Sequence, residues 1–362
     1  MANNQNKGQK VRHRSLDAIR AFAVLLVVFY HASYRFPPEQ GDVIGRIIRS
    51  IGWIGVDMFF ALSGFLIVFI LSQQKNRENI RLYFWKRFLR IVPIFAIAIL
   101  VFAIGAYVTG ETETLHLLPL TALFMNGWLI PFLGEAAVPY TISWSLSIEV
   151  FAYIVLGFCA KFSKSALFKS IWVFLIIALL VRLFVFIFRP FDIIGLYFFV
   201  PSRLDAIAYG ALGAMGLYSR LTSSKYAPLF WGSLTVLTIL ILSQLMVYPV
   251  FIHTAGYAWF GLIVGIWVTS LFQHPQTSES WIAKVLEPIG KYSYFIYLFH
   301  LFFLEFLLIL RLHIEWIDLN FWLASILALA LTSFAGVMSW KFIEGPLIGK
   351  GHALPPRLAG KV

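Results

Sequence analysis

Apolar runs near twenty residues alternate with short polar, basic segments along the whole chain. Each run is long enough to cross a hydrocarbon core as a helix rising 1.5 Å per residue. The windows predict spans at 16–34, 51–73, 91–109, 141–160, 168–188, 196–218, 228–247, 254–272, 292–312 and 320–342. A further apolar stretch, Leu115 to Leu133, is broken by Pro119, Asn126, Gly127 and Pro131 and reads as a re-entrant or interfacial segment. The expected fold class is an all-α integral membrane protein, a bundle of about ten transmembrane helices forming a single domain over residues 1–362.

Composition agrees with lipid as the main solvent: 60% of the 362 residues are apolar and 13% charged, where a soluble domain has about a quarter charged. The net charge of +12 does not signal nucleic acid, because Lys and Arg gather between apolar runs rather than on one soluble face. Ten crossings put both termini on one side. The segments on that side (the tail 1–14, 74–90, 161–169, 219–227, 273–291 and from Lys341 onward) hold 21 Lys and Arg against 5 on the other. The positive-inside bias makes that side cytoplasmic. An eleventh crossing at 115–133 would place the later basic loops outside.

The basic start followed by Ala21 to Tyr30 imitates a signal peptide, but Asp17 and Arg20 interrupt its beginning and no small-x-small site follows. It reads as a retained first helix. The sole cysteine, Cys159, lies in an apolar run and reads as a small core residue. No internal repeat or long soluble appendage is visible, so the machinery is expected inside the bundle. Segment 110–140, with Glu111, Glu113 and Glu135 and no Lys or Arg, is the longest one assigned to the outside and is placed to cover a site there.

An ionisable side chain within a span is costly and calls for a partner, a wet cavity or a function. Arg20 and His31 are eleven residues apart in the first span, hence on one helix face, roughly 16 Å apart along the axis. Taken alone, Arg20 also suits a side chain snorkelling to lipid phosphates, and His31 an interfacial residue. The second span carries Asp57 and Ser63 among apolar residues, with Gly52, Gly55 and Gly64 allowing close helix approach. Asp57 is suited to pair with Arg20 or to orient His31. Arg87 and Arg90 share a face in a basic, aromatic segment. They fit positive-inside charge at an interfacial belt, and equally a pair of forks for a phosphate-bearing ligand.

At these residues the chain resembles the type-3 membrane acyltransferase family. The resemblance rests on Leu16-Asp17-Ala18-Ile19-Arg20 with His31, the run Gly55 to Phe65, and Arg87-Phe88-Leu89-Arg90-Ile91-Val92-Pro93. It continues through Trp144 to Glu149, Arg203-Leu204-Asp205 with Gly210, Ser293 to His300, and Glu344-Gly345-Pro346, in order over almost the whole chain. Departures are Ala18 and Ala21 where the family often has glycines, and Val150-Phe151-Ala152-Tyr153 after Glu149. The resemblance implies a bacterial cytoplasmic-membrane enzyme that O-acylates surface or secreted carbohydrate (exopolysaccharide, lipopolysaccharide or oligosaccharide), usually from acetyl-CoA. The two-domain peptidoglycan-acylating type is not expected, since no fused hydrolase-like domain is seen.

O-acyl transfer needs a base for a hydroxyl proton, a polarised thioester and a clamp for an anionic donor. His31 is the candidate base, since imidazole titrates near neutrality. Glu149 or Asp57 would hold its tautomer, as the third member of a triad does. Arg20, Arg87 and Arg90 are the candidate cofactor-binding set for the acyl-CoA phosphates. Arg203, Asp205 and His300 are candidate acceptor contacts, with a structural ion pair between Arg203 and Asp205 as the other reading, and a core histidine as that of His300. His253 and His274 read as loop residues without a role. No residue grouping has metal-ligand spacing, and no metal is expected. A secondary transporter or flippase would also bury such charges, but its pseudo-repeats and paired broken helices are not visible. Replacing His31 with Ala separates the two: acyl transfer measured on purified, folded protein is expected to disappear, and retained transfer would remove His31 from the mechanism.

Overall fold

The computed structural model describes residues 14–73, 80–188, 193–245, 251–274, 281–314 and 318–350. Residues 1–13 and 351–362 of the basic tails, with Lys75, Arg77 and Arg189 of the charge count, lie outside the described residues. Among the described residues all regular structure is helical. Helices α1 (Arg14–Arg35), α2 (Val43–Ile51), α3 (Gly55–Gln73) and α4 (Ile80–Thr109) precede the short α5 (Leu118–Ala122) and α6 (Asn126–Leu133). There follow α7 (Trp144–Phe162), α8 (Lys164–Phe188), α9 (Ile193–Phe198), α10 (Leu204–Ala214) and α11 (Ala227–Gln244). The chain continues with α12 (Tyr257–Gln273), α13 (Trp281–Lys291), α14 (Ser293–His313), α15 (Phe321–Ser339) and α16 (Gly345–Lys350).

Nine helices among the described residues are long and apolar enough to cross a membrane, and they coincide with nine of the ten expected spans. Between α4 and α7 only short helices occur, as a re-entrant or interfacial segment requires. The outer faces are apolar: Leu179, Leu183, Phe184 and Ile187 of α8 and Leu100, Ile104 and Val108 of α4 are exposed, which suits hydrocarbon rather than water. Cys159 is half-buried rather than part of the core.

The sixth expected span, 196–218, is not one continuous helix. Phe199 is extended (φ −69°, ψ 125°) between α9 and a 3₁₀ turn at Val200–Arg203 that leads into α10. Pro201 brings no N–H to a helical ladder here. The buried Ser202 hydroxyl lies 2.7 Å from Leu196 O and 2.8 Å from Phe199 O, giving these carbonyls at the break a polar partner inside the bundle. The break turns Arg203 and Asp205 into the bundle.

The glycines expected to permit close approach do so. A Cβ on Gly64 would lie 1.9 Å from the carbonyl oxygen of Ile207, and one on Gly210 1.7 Å from that of Ala61, so α3 and α10 touch backbone to backbone. Gly55 stands in the same relation to Ala23 of α1 (2.4 Å) and Gly290 of α13 to Asp17 (1.8 Å). These crossings set the positions of α1, α3, α10 and α13 before larger side chains fill the rest. Gly64→Val is expected to destabilise by about 3 kcal/mol or more, at the upper end of overpacking costs. Gly105→Ala, where an added Cβ meets nothing within 4 Å, should leave the melting temperature in detergent unchanged.

Candidate functional site

Two hollows enter the bundle from opposite ends of α1, α4 and α14. A narrow pocket of about 80 Å³ near the N-terminal ends of these helices is lined by Arg20, Arg87, Arg90, Ser63, Glu149 and Tyr153, among others. A cavity of about 1230 Å³ toward their C-terminal ends contains His31, Tyr30, Arg35, Trp53 and Tyr197, with Glu111, Glu113 and Glu135 of the segment after α4. Val56 and Tyr297 line both hollows and form the wall between them.

The pocket gathers three guanidinium groups around one carboxylate. Arg20 is held by Asp17 at 2.8 Å. Arg87 stands over the ring of Tyr153 at 4.9 Å from its centre and over that of Tyr83 at 5.7 Å. Glu149 Oε1 accepts the hydroxyls of Ser63, at 2.8 Å, and of Tyr153, one turn further along α7. The arginine set expected from the sequence is thus brought together, and Glu149 joins it. Ser63 stood out as a polar point in an apolar helix; Tyr153, four residues after Glu149, was signalled only by that spacing.

Tyr297 is fixed in the wall by its hydroxyl, which donates to Ile142 O at 2.9 Å. Its single proton being used there, Ser145 Oγ at 2.6 Å is the donor to Tyr297. On the cavity side Tyr140 is held in the left-handed region (φ 48°). Asn126, fully buried, donates to Pro139 O and Ser143 Oγ at 2.9 and 2.8 Å, and the Tyr140 hydroxyl donates to Leu298 O at 2.5 Å. This network presses the segment after α4 onto the cavity mouth, where it contributes carboxylates as well as cover. Burial raises the Glu135 carboxyl above its ordinary value. Arg35 is paired with Glu305 at 2.5 Å, leaving the mouth predominantly acidic.

His31 lies on the cavity wall, its Nδ1 2.9 Å from Val27 O and 3.2 Å from Nε2 of His300. Neither Glu149 nor Asp57 reaches it. Asp57 is bonded to Arg203 instead, with side-chain exposures of 1% and 0%, and the Arg203 guanidinium sits 3.6 Å from the centre of the Tyr257 ring. Asp205 pairs with Arg182 through two bonds of 2.7 Å, and Arg182 also donates to Ser202 O at 2.7 Å. The ion pair anticipated between Arg203 and Asp205 is therefore replaced by two pairs that tie α10 and its preceding turn to α3 and α8. Two residues apart, Arg203 and Asp205 point to roughly opposite sides of their segment, so each meets a charge on a facing helix rather than the other. Arg203, Asp205 and His300 line neither hollow; His300 is fully buried and meets His31 rather than the cavity. His253, read from the sequence as a loop residue, lies in a π-helical turn before α12. It stacks on Trp53 with ring centres 6.0 Å apart, bonds the Tyr257 hydroxyl and lines the cavity.

The described helices thus enclose a cationic pocket and a histidine-bearing cavity divided by a thin wall. A family model described as an acyltransferase domain matches residues 13–340, and the chain belongs to this acyltransferase family. The chain is similar to the peptidoglycan O-acetyltransferase OatA of Listeria monocytogenes, with 27% identity covering 93% of the chain and 56% of OatA. It is similar also to a Staphylococcus aureus (strain MSSA476) protein named as an O-acetyltransferase, at 25% identity over 96% of the chain and 60% of that protein. A protein of Acidianus two-tailed virus named as an acetyltransferase is 25% identical over 83% of the chain and 88% of its own length. The chain thus spans less than two thirds of the length of the two bacterial relatives. No solved structure matches the chain.

The two buried pairs give a direct stability test. Asp57→Ala leaves Arg203 charged and alone in the core and is expected to cost about 3–5 kcal/mol. Adding Arg203→Met should recover most of the loss, read as melting temperature in detergent.

Proposed function

We propose that the protein is a membrane-bound O-acyltransferase that moves an acyl group, acetyl in the simplest case, from cytoplasmic acyl-CoA to a hydroxyl of a surface or secreted carbohydrate. The observation that carries this reading is the pair of hollows meeting at Val56 and Tyr297, one lined by three arginines and the other holding His31. Arg20, Arg87 and Arg90 suit the phosphates of a CoA donor, because planar guanidinium forks pair with phosphate oxygens. The positive-inside bias of the basic segments supports a cytoplasmic position for that end of α1, α4 and α14 and for both termini, and the family resemblance supports a bacterial inner membrane. Glu149, held by Ser63 and Tyr153, offsets part of the positive charge of the pocket beside Arg87.

The acceptor enters the large cavity, where Trp53, Trp144, Tyr197 and Tyr30 offer flat aromatic faces. His31 takes the proton of the acceptor hydroxyl as its oxygen attacks the thioester carbonyl. Collapse of the tetrahedral adduct expels CoA as a thiolate, which is protonated by the imidazolium. The depth from Arg20 to His31, roughly 16 Å along α1, is spanned by an extended pantetheine arm. Carbohydrate as the acceptor class rests on the family resemblance and on the name of the Listeria relative, which specifies peptidoglycan for that protein.

Access from opposite faces is the sharp requirement. In sealed right-side-out vesicles supplied with external acceptor, acyl transfer is expected only when acetyl-CoA is loaded inside, with the product read by mass spectrometry as one added acyl group. Equal transfer from external acetyl-CoA alone would overturn the arrangement.

A further inference from the structure

His300 is a positioning residue for His31: we infer that its Nε2 holds His31 in the tautomer that leaves His31 Nε2 free as a base. This rests on the reading of His31 as the base. The inference follows from the partners of the two rings. His300 Nδ1 lies 2.7 Å from Tyr297 O and 3.1 Å from Ile296 O. A carbonyl oxygen only accepts, so Nδ1 carries the proton, and the Nε2 of the neutral ring is an acceptor. That Nε2 stands 3.2 Å from His31 Nδ1, which is also 2.9 Å from Val27 O. Both neighbours of His31 Nδ1 are acceptors, so it too is protonated, and the lone pair of His31 is on Nε2.

Val27 O is four residues before His31 and already serves the α-helical ladder of α1. Among the described residues His300 Nε2 is the one acceptor for His31 Nδ1 that comes from outside its own helix, and so it fixes the ring plane as well as the proton. The rings are 4.9 Å apart at 57°. When His31 becomes an imidazolium, its Nδ1–H bond to His300 turns charge-assisted and strengthens at the step that needs it. The carbonyl that sets the His300 tautomer belongs to Tyr297, whose side chain forms the wall between the hollows. The Tyr140 hydroxyl on Leu298 O anchors the same turn of α14. One rigid turn therefore carries both the partition and the support of the base, a role that a carboxylate fills in the familiar triad.

The test compares His300→Leu, which keeps volume but has no acceptor, with His300→Gln, whose amide oxygen takes about the place of Nε2. With saturable soluble acceptor, H300L is expected to lose about 10²-fold in kcat with KM changed less than about threefold, the scale of general-base catalysis. H300Q is expected to recover at least about a tenth of wild-type kcat. In ¹⁵N-histidine-labelled protein, with the His31 signals assigned by their loss in H31A, wild type and H300Q should show a bare Nε2, and H300L a mixture of tautomers. Full kcat in H300L, equal loss in folded H300L and H300Q, or an unchanged His31 tautomer in H300L would each overturn the inference. If H31A itself retained transfer, the reading of His31 as base would fail instead, so the two failures are distinguishable.

Discussion

Charge in a medium without water must find its opposite inside the protein, and the two ion pairs around α10 are where this bundle meets that constraint. Asp57 with Arg203 and Arg182 with Asp205 are removed almost entirely from solvent. Their desolvation is expensive, and the return comes only if three segments hold fixed positions: α3, α8 and the turn leading into α10. The broken helix supplies that geometry. Phe199 leaves the helical path, Ser202 absorbs the freed carbonyls, and the charges of the next turn point at facing helices rather than along their own. The glycine crossings of α3 with α10 then bring the backbones close enough for short side chains to reach.

Around this scaffold, chemistry is sorted by depth. The same three helices, α1, α4 and α14, line the pocket near their beginnings, α1 and α4 with arginines, and the cavity near their ends. In α1 one helix face carries both Arg20 and His31, so the helix itself sets the distance between pocket and cavity. In α14 the succession Tyr294, Tyr297 and His300 crosses from the pocket to the wall to the contact with His31 in two turns. Tyr294 donates to Ile91 O at 2.8 Å, Tyr297 to Ile142 O, and His300 to the carbonyls of its own helix. Each polar group is thereby tied to backbone at the level where the two hollows meet.

Several residues show how polarity in an apolar span outlines a site but leaves its pairings open. Arg20, Arg87, Arg90 and Glu149 could be singled out from the sequence, and they share one pocket. Asp57 was equally conspicuous and is a structural partner of Arg203, 146 residues away. His300 and His253 carried weak signals because a histidine among aromatics has the same composition whether it packs or supports a base. Their neighbours, His31 and Trp53, come from distant segments that only packing brings near.

By itself the sequence determined the solvent of this protein, its helical class, nine of its spans and the family to which it belongs. Those properties depend on local runs of apolar residues and on motifs whose order is a one-dimensional property. Tertiary structure decided what no run length encodes. It broke the sixth expected span, exchanged the partners of Arg203 and Asp205, and set His300 rather than a carboxylate beside His31. The physical reason is the same in each case: in a dry interior a buried polar group is satisfied by whatever faces it across a helix crossing, and glycines and turns far along the chain choose that crossing.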